Sequence, residues 1–322
     1  MMKFRKPAQR KQGIKLLAYG ENGSGKSIFA LSFPQIGYVD SESKVGVYEN
    51  DPRFKDNLVG IADTAEYYNV VSLMEAVIKD TKSFSTLVVD SLTSINEGME
   101  VAAMEQEEAR AKKKGGNIDD ATVSMRGWGK IKLNTTRVSQ LIAQASSKGI
   151  TTVSIAHKKD ITQDVGGKQV KVGERAALRP NAEHTYDVIL KFYKEKDMVT
   201  QEMKYYAEVE KDTTNTYKVG TKLENVTYDN FKGYIEESAK SEAIKAEYDK
   251  TIETTKGTMQ EEQAGHEELV KEFKALYKEL LTKNPANKDT VTNMMKEKDV
   301  VKYNDTAKSA QLKELIEDMK KL

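Results

Sequence analysis

The sequence predicts an α/β fold with a mostly parallel central sheet flanked by helices. Four short apolar runs rich in β-branched residues are typical of strands buried on both faces: residues 14–20, 36–40, 86–91 and 151–157. Segments with helical periodicity alternate with these runs, at residues 26–33, 64–82, 95–114 and 128–149. Such alternation is the pattern of a parallel sheet covered by helices.

After Asn181 the pattern changes, which predicts antiparallel strands at the end of the sheet. The segments concerned are residues 186–195, 203–212 and 216–223, joined by polar turns. Beyond Glu236 the strand signal is lost, and from Glu267 apolar residues recur at helical spacing. The predicted domains are a basic N-terminal arm (1–12), an α/β core (13–236), a charged helix or linker (237–266) and a small helical C-terminal domain (267–322).

Composition limits the class of protein. Among 322 residues, 51 Lys and Arg nearly balance 50 Asp and Glu, so any nucleic-acid-binding surface must be local. The absence of cysteine excludes disulfides and thiolate metal sites and fits a reducing cytoplasm. The basic N-terminus is not followed by the apolar region of a signal peptide. No apolar run approaches the ~18–20 residues that span a bilayer. We therefore expect a soluble cytoplasmic protein without a membrane partner.

The segment GENGSGKS predicts a phosphate-binding loop. It fits the pattern G-x-x-x-x-G-K-[ST] and lies between a predicted strand and a predicted helix, which is the context this P-loop motif requires. Lys26 would reach the β- and γ-phosphates of a nucleotide, and the Ser27 hydroxyl would bind Mg²⁺. The alternative is a Gly/Ser loop that matches by chance. The predicted nucleotide-binding residues are Gly20, Glu21, Asn22, Gly23, Ser24, Gly25, Lys26 and Ser27.

A second part of this site is predicted at Asp90, which ends the apolar run in FSTLVVDSLTSI. In P-loop proteins an aspartate at the end of another sheet strand holds the Mg²⁺. A strand-ending aspartate is common by itself, but it is informative together with the P-loop. Ser27 and Asp90 are therefore the predicted metal-site residues, with ATP and Mg²⁺ as the bound groups.

The order of these features resembles RecA-type ATPases over residues 13–235. Such ATPases have a catalytic glutamate after the strand that follows the P-loop helix, and Glu42 in IGYVDSESKVG stands there. The resemblance implies that Glu42 orients and deprotonates the attacking water, with Lys26 also catalytic. An ordinary loop carboxylate is the alternative interpretation of Glu42.

At the end of the fourth strand, the resemblance implies a polar residue that senses the γ-phosphate. RecA itself has glutamine there, whereas this chain has His157, which can donate from either ring nitrogen. The alternative is a histidine that only caps the strand. The form AHKKD resembles small phage ATPases of AAA type, a group that includes single-strand annealing proteins. A phage-encoded member would work in the cytoplasm of the bacterial host.

RecA-like proteins grip single-stranded DNA with two loops, before and after the sensor strand. The resemblance places the first at residues 105–126 and the second at residues 158–181, both with glycines that suggest mobility. The alternative is a solvated surface, since acidic residues are interleaved in both. The candidate DNA-binding residues are Arg110, Lys112, Lys113, Lys114, Lys158, Lys159, Lys168, Lys171, Arg175 and Arg179.

Three further residues have expected roles. Trp128 could stack on a base, but packing of the helix start is the favoured interpretation. The resemblance implies homo-oligomers, as a filament or ring, whose subunits complete one another's active sites, and Lys211 is the candidate for that trans-acting basic residue. Phe4 could tether the N-terminal arm to a neighbouring subunit, but a disordered basic tail is the favoured interpretation for an isolated subunit.

Three functions follow from this interpretation. The first is a phage recombination ATPase that assembles on single-stranded DNA, hydrolyses ATP under DNA stimulation and promotes annealing or strand exchange. The second is a ring helicase or a replication accessory motor or loader. The third is a nucleotide-dependent protein switch without a DNA role. A single-strand-binding protein or a replication protein is a possible partner of the first two.

Overall fold

The computed structural model describes residues 12–240 and 248–322, so the expected basic arm, with Phe4, lies almost wholly outside the described residues. Contacts divide the chain into two units, Met1–Ala246 and Glu247–Leu322. The first contains the sheet and its helices, and the second is helical.

The first unit is built on one large mixed sheet. Its strand order is β3-β2-β4-β5-β1-β7-β8-β9, and β6 pairs with β5 outside this path. All pairs from β3 to β7 are parallel, whereas β8 and β9 add antiparallel pairs at one edge. The strands are β1 (Lys15–Gly20), β2 (Ile36–Asp40), β3 (Leu58–Asp63), β4 (Thr86–Asp90), β5 (Thr151–Val165), β6 (Lys168–Ala176), β7 (Val188–Lys196), β8 (Met203–Asp212) and β9 (Lys222–Glu224).

The order of the central strands confirms the predicted fold class. Strand β5 lies between β1, which leads into the P-loop, and β4, which ends at Asp90. This insertion, with β2 beyond β4, is the RecA-like arrangement. Two details of the prediction were wrong: β7 is parallel to β1, so antiparallel pairing starts only at β8, and the strand predicted at residues 216–223 is limited to Lys222–Glu224. Strand β3, at the far edge, was not predicted.

Helices cover both faces of the sheet. Alternate residues of β1 explain why, since Leu16 and Ala18 join one buried cluster while Leu17 and Tyr19 join the other. The first cluster includes α1 and α5, and the second includes α2, α3 and α4. The helices of this unit are α1 (Lys26–Leu31), α2 (Tyr67–Lys79), α3 (Leu92–Lys113), α4 (Met125–Ser147) and α5 (Asp229–Ala239).

The second predicted DNA-binding loop is a β-hairpin rather than an irregular loop. Strand β5 continues for 15 residues, from the buried sheet into an exposed segment, and β6 returns antiparallel to it. Gly166 and Gly167 form the two-residue turn with φ of 62° and 82°. Positive φ at both positions is the requirement of a type I′ hairpin turn, which glycine meets without strain.

The first predicted loop is also shorter than expected, because α3 continues to Lys113 and α4 starts at Met125. Helix α3 starts two residues after Asp90, and α4 ends just before β5 begins. The two helices run antiparallel, with Asn134 near Met99 and Ser124 bonded to Glu107. The loop that joins α3 to α4 therefore lies beyond the carboxyl ends of the parallel strands, as the hairpin does.

The second unit has its own apolar core. Its helices are α6 (Tyr248–Lys283), α7 (Asn287–Glu297) and α8 (Ser309–Met319), and α6 runs through the boundary proposed at residue 267. Buried residues of all three helices form one cluster that includes Phe273, Val291 and Leu315. In the described residues no helix is long and apolar enough to cross a membrane.

Candidate nucleotide-binding site

The P-loop joins the end of β1 to the start of α1 and lines a cavity. Gly25 precedes the helix with φ of 97°, and a Cβ at Gly20 would lie 1.9 Å from the carbonyl oxygen of Phe192. Both positions therefore require glycine. The cavity has a volume of about 720 Å³ and is lined by the whole predicted loop, residues 20–27, together with Glu42, Asp90 and His157. The structure thus brings the predicted nucleotide-binding, metal and catalytic residues into one cavity.

Lys26 lies inside the curl of the loop. Its Nζ donates to the carbonyl oxygens of Glu21 (2.5 Å) and Gly20 (3.2 Å). Burial lowers the pKa of Lys26, partly opposed by the charges of Asp90 and Glu42. A phosphate group would replace these carbonyl contacts with stronger charge-assisted bonds.

Ser27 and Asp90 provide the donor set that a hard divalent cation prefers. Ser27 Oγ donates to Asp90 Oδ2 at 2.7 Å, and the Tyr38 hydroxyl donates to the same oxygen at 2.7 Å. Burial raises the pKa of Asp90, while these two hydrogen bonds act in the opposite direction. A hydroxyl and a carboxylate beside a phosphate-binding loop fit Mg²⁺, which keeps several waters and takes few protein ligands.

Glu42 is held by four side chains. Its Oε1 accepts from Ser91 Oγ (2.6 Å), Ser94 Oγ (2.9 Å) and His157 Nε2 (2.6 Å), and its Oε2 pairs with Lys44. Burial raises the pKa of Glu42, but the bonds from Lys44 and the two serines outweigh it and lower the pKa to about 2. Such a carboxylate is a weak base but a well-positioned acceptor, which favours orientation of water over deprotonation.

The loop that carries Glu42 is shaped by Asp40. This carboxylate is buried and accepts from the backbone N–H groups of Glu42 (3.1 Å) and Val45 (2.6 Å). Asp40 therefore has a structural role in the site.

His157 connects the site to α3 and the hairpin. Its backbone N–H donates to Thr93 Oγ1 at 3.0 Å, and Thr93 Oγ1 donates to the carbonyl of Ala177. The sequence interpretation missed Thr93, Ser91 and Ser94, although the hydroxyl-rich run directly after Asp90 was a usable signal.

Lys158 links the P-loop to the hairpin through ion pairs. Its Nζ lies 2.9 Å from Glu21 in the P-loop and 2.9 Å from Glu174 in β6. Glu174 also binds Lys171 (2.6 Å) and Lys191 (3.0 Å). Hydrogen bonds from these lysines, that of Lys171 first, lower the pKa of Glu174 to about 2. Glu174 and its three lysines form what we call the Glu174 cluster.

The candidate DNA-binding residues of the hairpin are divided between its two faces. Residues that pair across the two strands lie on the same face of the hairpin. One face contains the Glu174 cluster, and the opposite face contains two cross-strand pairs with basic residues: Lys159 with Arg175, and Val165 with Lys168. That face has no acidic residue, and its apolar members are exposed: Ile161, Val165 and Val170. Lys158 and Lys171, by contrast, are engaged in the Glu174 cluster.

The remaining candidates lie on α3, after β6 and on β8. Arg110 pairs with Glu107 (2.6 Å), and Lys112, Lys113 and Lys114 are exposed at the end of α3. The guanidinium of Arg179 lies 5.3 Å from the ring centre of Trp128. Lys211, in β8, pairs with Ile189 of β7. Ile189 lies beside the start of β1, so Lys211 is at the end of the strands opposite the P-loop of its own chain.

A smaller apolar cavity of about 240 Å³ adjoins the P-loop. It is lined by Gly25 and Ile28 on one side and by Phe192, Tyr205 and Val226 on the other. Tyr205 also lines the main cavity. Neither Tyr205 nor Val226 was predicted, because both come from the antiparallel edge and its following loop, far along the chain from the P-loop.

The fold and this site define a P-loop ATPase. A family model described as an AAA domain matches residues 12–222, and the chain belongs to this family. Among solved structures, a KaiC-like protein from the hyperthermophilic archaeon Pyrococcus horikoshii OT3 is similar, with 16% identity and a TM-score of 0.40 over 66% of this chain and 85% of that chain. No curated protein sequence matches the chain.

Proposed function

We propose that this ATPase binds single-stranded DNA as a homo-oligomer and promotes annealing or strand exchange, as the phage recombination ATPases that it resembles do. ATP with Mg²⁺ would control assembly on DNA, and hydrolysis would weaken the subunit interface and the grip on DNA. A single-strand-binding or replication protein is a plausible partner of such an assembly.

The contact between Glu42 and His157 is the observation that carries this proposal. The two side chains meet at 2.6 Å, beside Ser27 and Asp90, and His157 lies in β5. Because β5 extends from the sheet into the hairpin, a change in the bond between Glu42 and His157 would reach the strand that carries Lys158 and Lys159. This contact supports a link between the nucleotide and the hairpin.

The chemistry of the hairpin supports a nucleic-acid ligand. Its acid-free face carries Lys159, Lys168 and Arg175, and no ion pair engages these three within residues 12–240 and 248–322. Cations of this kind give affinity for phosphates that is independent of sequence and falls with salt. Exposed valines and isoleucine between them can contact bases or sugars.

Within the site, each residue would act on the nucleotide in a defined way. Lys26 and the loop N–H groups would bind the phosphates, and Ser27 with Asp90 would hold Mg²⁺, which neutralises charge on the phosphates when bound. Glu42 would orient a water through one carboxylate oxygen, while Ser91 and Ser94 keep the carboxylate in place. His157 would exchange its bond with Glu42 for one to the nucleotide.

The proposal is tested by ATP hydrolysis with and without oligo(dT), combined with electron microscopy of the same mixtures. We expect DNA to increase the hydrolysis rate and to produce filaments or rings, both weakened by salt. As a matched pair, Lys159→Ala with Lys168→Ala should weaken DNA binding. Lys196→Ala with Lys218→Ala, the same loss of charge at exposed positions near the antiparallel strands, should not.

If DNA changes neither hydrolysis nor assembly, the recombination function is wrong and a nucleotide-dependent switch remains. Translocation along DNA, or unwinding of a duplex, would instead identify the chain as a motor or loader.

A further inference from the structure

The sequence interpretation favoured packing of the helix start as the role of Trp128, but the structure leaves this side chain exposed. It lies in the first turn of the helix and is 41% exposed, which is unusual for so large an apolar side chain. Ser124 caps this turn by accepting from the N–H of Gly127, which stabilises the helix start. Trp128 therefore presents an aromatic surface on a capped helical turn.

Arg179 covers part of this ring. Its guanidinium lies 5.3 Å from the ring centre, within the range of a cation–π contact. Its ion pair with Glu100, made through one terminal nitrogen, is 3.9 Å, longer than a hydrogen bond. Its Nε is buried and has no hydrogen-bond partner among the described residues. Arg179 thus stacks on Trp128 with its Nε enclosed, and the terminal nitrogen that faces Glu100 keeps donor capacity for a further acceptor.

The charge of α4 agrees with an anionic ligand. Although the chain is nearly neutral, the 23 residues of this helix include four basic and no acidic side chains: Arg126, Lys130, Lys132 and Arg137. Only Arg137 has an ion pair within the described part of the chain, with Glu75. Lys132 follows Trp128 by one helical turn and lies on its side of the helix.

We propose that Trp128 and Arg179 form a stacking platform for an unpaired nucleobase of single-stranded nucleic acid, with Lys132 beside it for the backbone. The inference rests on the proposed function and assigns base contact to residues outside the hairpin. An aromatic ring stacks on any base, so the platform supplies affinity without sequence preference. Arginine adds its own stacking and donates to phosphate or to a base edge.

Trp128 is the only tryptophan, so its emission reports on the platform directly. The experiment titrates the full chain with fluorescein-labelled oligo(dT) at low salt and follows both anisotropy and tryptophan emission. We expect stacking to quench the emission over the same concentration range in which anisotropy rises. Oligo(U) should quench the emission in the same way if the ligand is RNA. The oligonucleotide that binds more weakly, oligo(dT) or oligo(U), identifies the disfavoured nucleic acid.

An oligomer of abasic deoxyribose phosphates is the ligand control, because it carries the charge but no base. It should bind more weakly and leave the emission unchanged. Equal quenching by the abasic oligomer or by a duplex would overturn the platform. Emission that depends on protein concentration without nucleic acid would assign this face to a contact between copies of the chain and would also overturn it.

Variants give the second readout. Trp128→Ala should weaken binding of oligo(dT) by about fivefold to a hundredfold, and Trp128→Phe should restore part of the affinity. Tyr234→Ala is the matched control, because Tyr234 is 39% exposed on α5, across the sheet. ATP hydrolysis without DNA should be unchanged in all three.

The two proposals fail differently. If oligo(dT) binds but neither quenches Trp128 nor loses affinity in Trp128→Ala, the platform is wrong and the DNA-binding function stands. If oligo(dT) does not bind at low salt, the DNA-binding function is wrong, and if oligo(U) does not bind either, the platform is wrong as well.

Discussion

Ser27, in the first turn of α1, donates a 2.7 Å hydrogen bond to Asp90 at the end of β4. Strand β5 lies between β4 and β1, the strand that leads into the P-loop. The bond therefore joins the P-loop to a strand that is not adjacent to β1. With Tyr38 on the same oxygen, it positions the Asp90 carboxylate.

Asp90→Asn should remove the Mg²⁺ dependence of nucleotide binding. The amide keeps the shape of the carboxylate but loses the charge that favours a divalent cation. Titration with a fluorescent ATP analogue, with Mg²⁺ and with EDTA, should show at least a tenfold smaller effect of EDTA than in the parent chain. Asp63→Asn, an exposed aspartate at the end of β3, is the control and should keep the parent's response. An unchanged EDTA effect in Asp90→Asn would remove Asp90 from the metal site.

Lys26→Ala should lose nucleotide binding. Its ammonium lies inside the curl of the loop, where it donates to the carbonyl oxygens of Gly20 and Glu21. Loss of a charge-assisted bond to phosphate costs about 1.5–3 kcal/mol per bond, or roughly tenfold to a hundredfold in affinity. Isothermal calorimetry with ATP measures the effect, and Lys55→Ala, at an exposed position, should bind as the parent does.

Glu42→Gln should bind ATP normally and lose turnover. Glutamine can accept the hydroxyl bonds of Ser91 and Ser94 through its amide oxygen, but it lacks the charge that orients the attacking water. We expect hydrolysis to fall at least a hundredfold in a phosphate-release assay, with nucleotide affinity within about threefold of the parent. Glu49→Gln, on the following turn, is the charge-matched control. Turnover in Glu42→Gln equal to that of the parent would show that another group orients the water.

The low pKa of Glu42 also predicts a pH dependence of stability. Because folding lowers this pKa from 4.5 to about 2, the stabilisation is fully present above pH 4.5 and is lost as the pH falls toward 2. With allowance for solvent screening, the parent should exceed Glu42→Gln by about 1–2 kcal/mol at pH 7. Urea unfolding followed by Trp128 emission should show this difference shrinking between pH 4.5 and pH 2. A difference that is constant over this range would contradict the linkage.

Glu174→Gln should strengthen binding of single-stranded DNA. The change removes the carboxylate that pairs with Lys158, Lys171 and Lys191, so these cations gain freedom to meet phosphates. We expect a several-fold increase in affinity and a steeper salt dependence. Glu195→Gln, on β7 outside the Glu174 cluster, makes the same charge change and should have a smaller effect. Weaker binding in Glu174→Gln would mean that the cluster holds the hairpin in its binding shape.

The centre of the fold and site could be predicted because its signals are local. The strands before Gly20 and Asp90 are buried on both faces, so they are continuously apolar in the sequence. The P-loop is a contiguous motif, and Glu42 and His157 each follow a predicted strand directly.

The parts that were missed lack such signals. Strand β3 is only partly buried, and Gly60 interrupts its short apolar run, which weakens the strand signal. The hairpin is exposed on both faces, and its one usable signal was the Gly166-Gly167 pair between two segments with β-branched residues. The bond of Lys158 to Glu21 depends on the pairing of distant strands, which composition does not reveal.

The length of β5 has a mechanical consequence. From His157 to the turn at Gly166 the chain extends about 30 Å, at ~3.3 Å per residue. If the strand tilted by about 5° at His157, the hairpin tip would move by roughly 2–3 Å, because the displacement grows with the distance from His157. Breaking the hydrogen bond between Glu42 and His157 would then displace the hairpin tip by about the length of the bond itself.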